Sequence, residues 1–279
     1  MTADEKNILS GFLHLTASYL KDGHARTSAP AMPDEVPIGD PPSSAVETQA
    51  PSEGFSSLPL AYQVDENEEA ESFTEDTIEY SPIPVTDDSL KAISAEISVC
   101  ESCGLAATRK SVVPGEGAER PLVMVIGEGP GADEDKAGRP FVGKAGQLLD
   151  KMLDSIGLSR NKNCFIGNMV KCRPPGNRDP SPGEIAACYP YLERQITLLS
   201  PQIILCAGRV AAQNLLKTST GINALRGEFM EFRIGETSIP VLCTFHPSAV
   251  LRNEYLKRPA WEDLKLLKSR IDDAGYGES

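Results

Sequence analysis

The chain has 279 residues and a formal net charge of −13. That length exceeds what one compact domain of common size needs, and the charge has the wrong sign for a protein that binds a polyanion. The imbalance is local, however. The first 90 residues carry 18 acidic and 3 basic side chains, whereas the remainder carries 22 and 24, so the acidic N-terminal part should not decide the partner class. No apolar run of about 18 or more residues occurs, which excludes a membrane-spanning helix of ordinary length. The N-terminus has no basic stretch leading into an apolar core, so no secretory signal is expected. Seven cysteines are an odd and sparse set for a secreted disulfide scaffold, and they suit a reducing cytoplasm with free or metal-bound thiols.

In chain order, Ile8, Leu9, Phe12, Leu13, Tyr19 and Leu20 fall largely on one helical face, which predicts an amphipathic helix over 1–21. Such a helix cannot bury its apolar face alone and would dock on this chain, a second copy or a protein partner. Residues 22–88 are rich in Pro, Ser, Asp and Glu, including DENEEAES at 65–72, and read as a disordered acidic linker. The globular domain is then expected over 89–279. Within it, LVMVIGEG (122–129), CFIGNMV (164–170), QIILCAG (202–208) and IPVLCTF (239–245) are apolar runs of strand length. Between them, 143–157 and 209–217 have helical spacing, Ser181-Pro182-Gly183-Glu184 opens a helix running toward Leu199, and 261–271 closes the domain as a helix. A polar, hairpin-like stretch lies around 225–239. Strands alternating with helices predict a three-layer α/β/α domain around a central, mainly parallel four-stranded sheet, with its ligand beyond the carboxyl ends of the strands.

The chemistry-bearing residues sit at those strand ends. Gly127-Glu128-Gly129-Pro130-Gly131 follows the first strand, neither a Walker loop nor G-x-G-x-x-G. Its loop runs on through Glu134 to Arg139-Pro140-Phe141-Val142-Gly143, where Phe141 could offer an exposed ring for stacking or serve as a core anchor. Asn168 ends the second strand; an amide donates and accepts together, as reading a base edge requires. His246, in HPSAVLRN, ends the fourth. Two cysteine pairs, Cys100-x2-Cys103 and Cys172-x15-Cys188, can close one metal centre, for which spacing alone leaves zinc and an iron–sulfur cluster open. Cys164, Cys206 and Cys243 stand inside apolar strands and read as core thiols.

Taken together, GEGPGADEDKAGRPFVGKAGQLLD (127–150), NMVKCRPPGNRDP (168–180) and HPSAVLRN (246–253) resemble the family 4 uracil-DNA glycosylases, the bacterial and archaeal branch that carries an iron–sulfur cluster. The resemblance covers about residues 96–270 and not 1–88. It implies a [4Fe–4S] cluster on Cys100, Cys103, Cys172 and Cys188. It also implies that uracil is flipped from single- or double-stranded DNA into a pocket where Phe141 stacks and Asn168 reads O4 and N3–H. The backbone of Glu128, Gly129 and Pro130 would complete the base contacts. His246 would then donate to O2 of the departing base. In the best-known uracil-excising family an aspartate stands where Gly129 is, so Glu128 or Glu134 is the expected aid to the attacking water, and Glu134 also a candidate for excluding thymine. No strand-end lysine offers a Schiff-base nucleophile. Leu251 and Arg252 are placed to enter or hold the duplex, and Arg173, Arg178 and Lys171 to contact phosphates.

Three other readings compete. A related branch that traps DNA covalently needs a basic insertion with a histidine after the second strand, where this chain has PPGNRDPSPG. A zinc- or cluster-stabilised adaptor that binds nucleic acid without catalysis would share the cysteines. A phosphotransfer enzyme would need the lysine and hydroxyl that the glycine loop lacks.

Overall fold

The computed structural model describes residues 88–275; the helix expected over 1–21 and nearly all of the linker expected over 22–88 lie outside them. A helix α1 (Leu90–Val99) opens the domain, capped by the Ser89 side chain accepting from the Ala92 amide. A sheet of six strands follows, in spatial order β1-β3-β2-β4-β6-β5. Its centre is formed by β2 (Val123–Gly127), β3 (Cys164–Asn168), β4 (Ile203–Ala207) and β6 (Thr237–Thr244). These are the four apolar runs, mutually parallel where they pair.

The two further strands correct the expected four. β1 (Glu116–Gly117) pairs antiparallel with β3, and β5 (Phe229–Ile234) pairs antiparallel with β6. Neither could announce itself as a core strand. β1 is two residues of backbone pairing between loops, and β5 has only Phe232 buried, as an edge strand with one wet face does.

Alternation along the parallel strands builds two cores. Val123, Val125, Ile203, Leu205 and Leu242 face one side, with α3 (Lys144–Asp154) and α8 (Lys257–Asp273) over them. Met124, Ile126, Ile204, Cys206, Val241 and Cys243 face the other, under α4 (Pro182–Leu199) and α5 (Arg209–Leu215). Two buried faces explain why these strands read as continuous apolar runs. α4 starts at the expected capping box: Ser181 Oγ accepts from Glu184 N, and Glu184 Oε2 accepts from Ser181 N at 2.7 Å. It stops at Ser200, in the left-handed region, before Pro201. Three departures from the expected elements are local. α2 (Ala132–Ala137) forms inside the glycine loop, α8 begins four residues before Trp261, and the HPSAVLRN motif folds as α7 (Pro247–Arg252), with α6 (Ile222–Leu225) ahead of the β5 hairpin. Among the described residues no helix is long and apolar enough to cross a membrane.

From β2 the chain winds to β3 on one side, then crosses back so that β4 pairs with the other side of β2. Reversal of winding leaves a crevice at the carboxyl ends of these strands, where open α/β sheets place their ligands.

Candidate active site

That crevice is a cleft lined by residues from all four parallel strand ends. Glu128, Gly129, Pro130, Glu134 and Phe141 come from the segment after β2, Asn168 from the end of β3, Gly208 and Arg209 from the end of β4, and His246 and Arg252 from the segment after β6. Arg178 and Asp179 form part of one lip. Arg173 and Leu251 do not line it: Arg173 donates instead to Asn177 at 2.9 Å, and Leu251 stands 36% exposed on α7.

Asn168 is 1% exposed, and among the described residues neither its Nδ2 nor its Oδ1 has a hydrogen-bond partner. A buried amide left without partners costs about 1–3 kcal/mol, so it is expected where a ligand will complete it. Its placement depends on Gly127: a Cβ there would lie 2.5 Å from Asn168 Oδ1 and 2.6 Å from the Phe141 ring. Glycine alone lets the amide and the ring converge on the end of β2.

Phe141 is 5% exposed and belongs to the core cluster under α3, which corrects the freely exposed ring allowed from sequence. The ring is a core anchor that also lines the cleft. Its backbone is left-handed, at φ 51°, a conformation that costs a non-glycine residue on the order of 1–3 kcal/mol. Two groups hold it there. Glu134 Oε1 accepts from Val142 N and Gly143 N, each at 2.9 Å, while Oε2 accepts from Gly131 N at 3.1 Å. Arg160, its side chain only 10% exposed, donates to the carbonyls of Pro140 and Phe141, each at 2.9 Å, and is itself fixed by Glu116 and Asp150. No local pattern singles out Arg160, because its partners lie 10 to 44 positions away.

The His246 ring lies 5.6 Å from that of Phe141, tilted by 32°, and Gly208, at φ 101°, leaves it room, since a Cβ there would sit 2.8 Å from His246 Cβ. His246 caps α7: its Nδ1 accepts from Ser248 N at 3.2 Å and is 2.8 Å from Ser248 Oγ. An Nδ1 that accepts a backbone N–H carries no proton of its own, so the neutral ring is the Nε2–H tautomer, whose donor meets no acceptor among the described residues. Burial, with Arg252 nearby, pushes the imidazole down to about 4, against a weaker opposite pull from Glu134. Glu128 is half-buried; burial, then Asp179, raises its carboxyl above the ordinary range while Arg209 opposes them.

The four expected ligand cysteines line a separate pocket with Ile97, Ser102, Arg109 and Tyr191. Among the described residues no three His, Cys, Asp or Glu converge closely enough to hold a single ion; the four thiols instead surround the pocket from α1's end, the β3–α4 loop and α4. Arg109 donates to Cys172 Sγ at 3.4 Å and Lys171 N to Cys188 Sγ at 3.2 Å. Four soft sulfur donors with N–H groups aimed at two of them fit the iron–sulfur chemistry expected of that set. Cys164, Cys206 and Cys243 are fully buried in strands, as expected.

Two basic residues expected at phosphates are otherwise engaged. Lys171 is 1% exposed, its Nζ donating to Asn168 O at 3.0 Å and Gln195 Oε1 at 2.7 Å, and burial pushes it down to about 8. It cannot reach solvent DNA, and the sequence could not tell it from the surface lysines. Arg178 forms a bidentate pair with Glu184 at 2.7 and 2.8 Å, holding that carboxyl at about 2.

A three-layer α/β/α protein with a ligand cleft at the switch point of its parallel sheet is therefore the class that fold and site define. Residues 114–265, just over half the chain, match the family model described as the uracil DNA glycosylase superfamily. Similar proteins include the type-4 uracil-DNA glycosylases of Sulfurisphaera tokodaii, 44% identical over 186 residues (65% of this chain, 84% of the relative), and Saccharolobus solfataricus, 43% identical over 189 residues (66% and 87%). That of Thermotoga maritima is 40% identical over 189 residues, 67% of this chain and 96% of the relative. The chain belongs to the uracil-DNA glycosylase superfamily and, within it, to the type-4 family.

Proposed function

We propose that this protein is a monofunctional uracil-DNA glycosylase that acts on single- and double-stranded DNA and opens base excision repair. The observation that carries the reading is Asn168, a buried carboxamide with both polar atoms unpartnered in a cleft shared with an aromatic ring and an imidazole Nε2–H. Uracil offers Asn168 an N3–H to donate and an O4 to accept; cytosine offers the reverse at both positions, and the lost bidentate match costs about 1–3 kcal/mol. The nucleotide must leave the stack to reach the cleft, at a cost of a few kcal/mol, offset in part by stacking on Phe141, worth about 1–3 kcal/mol.

Rupture of the N-glycosidic bond leaves negative charge on the uracil ring and an oxocarbenium-like sugar. His246, as the neutral Nε2–H tautomer, donates to O2 and stabilises the leaving anion where its charge develops. Glu134 acts through the Phe141–Gly143 turn, because its two oxygens already accept three backbone N–H groups. Glu128, whose carboxylate accepts no hydrogen bond among the described residues, is left as the residue to hold the attacking water. Among the described residues no lysine lines the cleft, which supports hydrolysis without a lyase step. Arg252, in the cleft lining and in no ion pair among the described residues, supplies a cation for the DNA backbone, and Leu251 an exposed apolar side chain for the vacated stack. Arg178 reaches a phosphate only by giving up Glu184.

Cys100, Cys103, Cys172 and Cys188 would hold a [4Fe–4S] cluster, which when bound supplies a rigid clip between α1, the β3–α4 loop and α4. Purified protein is expected to absorb at about 400 nm, and Cys172→Ser to lose that absorption; a colourless protein that retains equimolar zinc would refute the cluster.

Uracil-containing oligonucleotides, single-stranded and duplex, incubated with the protein and then treated with alkali test the activity directly. Strand scission at the uracil position is expected, and none at cytosine or thymine. Asn168→Ala should lower kcat/KM about 10- to 100-fold, the worth of one bidentate base contact, without lowering the melting temperature, since it removes an unpaired buried amide. Absence of uracil release by protein bearing the chromophore would sink the assignment.

A further inference from the structure

The four-cysteine pocket and the cleft share no lining residue, yet one side chain spans the gap between them. Lys171 is completely buried among the largest interior side chains. Its backbone N–H donates to Cys188 Sγ at 3.2 Å and its backbone carbonyl accepts from Val113 N at 2.8 Å. Its ammonium turns back along β3 to the Asn168 carbonyl and across to Gln195. Gln195 lies two turns after Cys188 on α4, and its Nε2 donates to Pro114 O at 2.8 Å. An ammonium held in the interior costs several kcal/mol of desolvation, and a well-packed apolar side chain of like volume would serve packing alone at least as well. Lys171 therefore does something a methionine would not.

We propose that Lys171 is a positioning residue that couples the cysteine pocket to the base-reading amide, so that the state of the pocket sets how well Asn168 is aimed. The inference rests on the reading of Asn168 as the base contact. Among the described residues the Asn168 side chain has no hydrogen-bond partner, so its amide is placed by packing beside Gly127 and Phe141 and by the backbone that carries it. That backbone is held on one side by the β2–β3 pairing, continued by Met169 N donating to Gly127 O at 2.9 Å and Val170 N to Glu128 O at 3.2 Å. On the other side the Lys171 ammonium holds the Asn168 carbonyl. Whatever fixes Cys188 Sγ would also fix the Lys171 amide that donates to it, and the ammonium would pass that constraint to the peptide after Asn168. Loosening the pocket frees the same peptide. A displacement near 1 Å at a reading group is enough to cost about 100-fold in rate.

Lys171→Met keeps the length of the side chain and removes the ammonium. With absorption at about 400 nm unchanged, it is expected to reduce kcat/KM on uracil about tenfold and to narrow the preference for uracil over cytosine. In the Asn168→Ala background the same change should have no further effect, because Lys171 acts only through Asn168; an equal loss in both backgrounds overturns the proposal. Gln195→Met, which removes the other partner of the ammonium, is a second route should Lys171→Met not fold, with the same expected non-additivity. Hydrogen exchange supplies a readout independent of activity. Stripping metal from the wild type with a chelator should speed exchange at the Met169 and Val170 amides, and in Lys171→Met exchange should already be fast with the chromophore present. Equal protection of these amides in loaded and stripped wild type would overturn the coupling even if uracil is excised. Failure of excision by loaded wild type would instead remove the functional reading on which it rests.

Discussion

His246→Ala is expected to lower kcat about 10²- to 10³-fold, the worth of one hydrogen-bond donor placed where transition-state charge develops, with KM changed far less. The split follows from the proposed roles: the Nε2–H bond would strengthen as charge builds on O2, whereas recognition would fall to Asn168 and Phe141. Comparable losses in kcat and in binding of a non-hydrolysable deoxyuridine duplex would reassign His246 to ground-state recognition. Activity against pH gives a second test. The imidazole is pushed down to about 4, so it stays neutral from neutral pH down to about pH 5, and excision should show no inflection near its ordinary value of about 6.5. Protonation of Nδ1 near pH 4 would expel the Ser248 amide and end the cap. The sign for stability is the same: between about 6.5 and 4 the unfolded chain binds a proton that the folded chain refuses, so stability falls as pH drops through that window. An inflection near 6.5 that disappears in His246→Ala would show that the ring is cationic in use.

Asp263→Ala is expected to be the most destabilising single change in the scaffold. Asp263 is 0% exposed; it accepts from Arg226 Nε at 3.0 Å and Nη2 at 2.7 Å, and from Thr244 Oγ1 at 2.7 Å. The Arg226 guanidinium sits 5.3 Å over the Phe245 ring and also donates to Pro259 O. Burial outweighs Arg226 and Thr244 and raises the Asp263 carboxyl above its ordinary value, so the pair is no reservoir of stability at neutral pH. Removing one partner is another matter. It strands the other charge, at about 3–5 kcal/mol, which for a domain of this size lowers the melting temperature by roughly 10 °C. Because the pair lies under Thr244 and Phe245, immediately before His246, the surviving folded fraction should also lose activity. A melting temperature within about 2 °C of wild type would show that Arg226 finds solvent instead.

The parts of this site that depend on a residue's own chain neighbours were legible without coordinates. Apolar runs ending in Gly127, Asn168, Gly208 and Phe245 marked the parallel strands, and the fold rule for such sheets put the glycine loop, the amide and the histidine at one edge. What escaped was carried by contacts distant in sequence. The β1 edge is two residues with no pattern. Arg160 supports Phe141 across 19 positions and Lys171 meets Gln195 across 24. Glu134, read as an aid to chemistry, also braces the Phe141–Gly143 turn, its oxygens accepting from amides up to nine residues ahead.

The layers, the parallel character of the core strands, the capping box that opens α4 and the side chains able to carry chemistry were all readable along the chain, since periodicity, capping and turn formation are short-range effects written in adjacent residues. Only the tertiary structure decided which of those side chains are free. Burial left the Asn168 amide open, set the His246 tautomer through Ser248, filled Glu134, turned Lys171 inward and tied Arg178 to Glu184. Whether a polar group is available to a ligand depends on what the rest of the chain has already hydrogen-bonded to it, and that is a property of the packed fold.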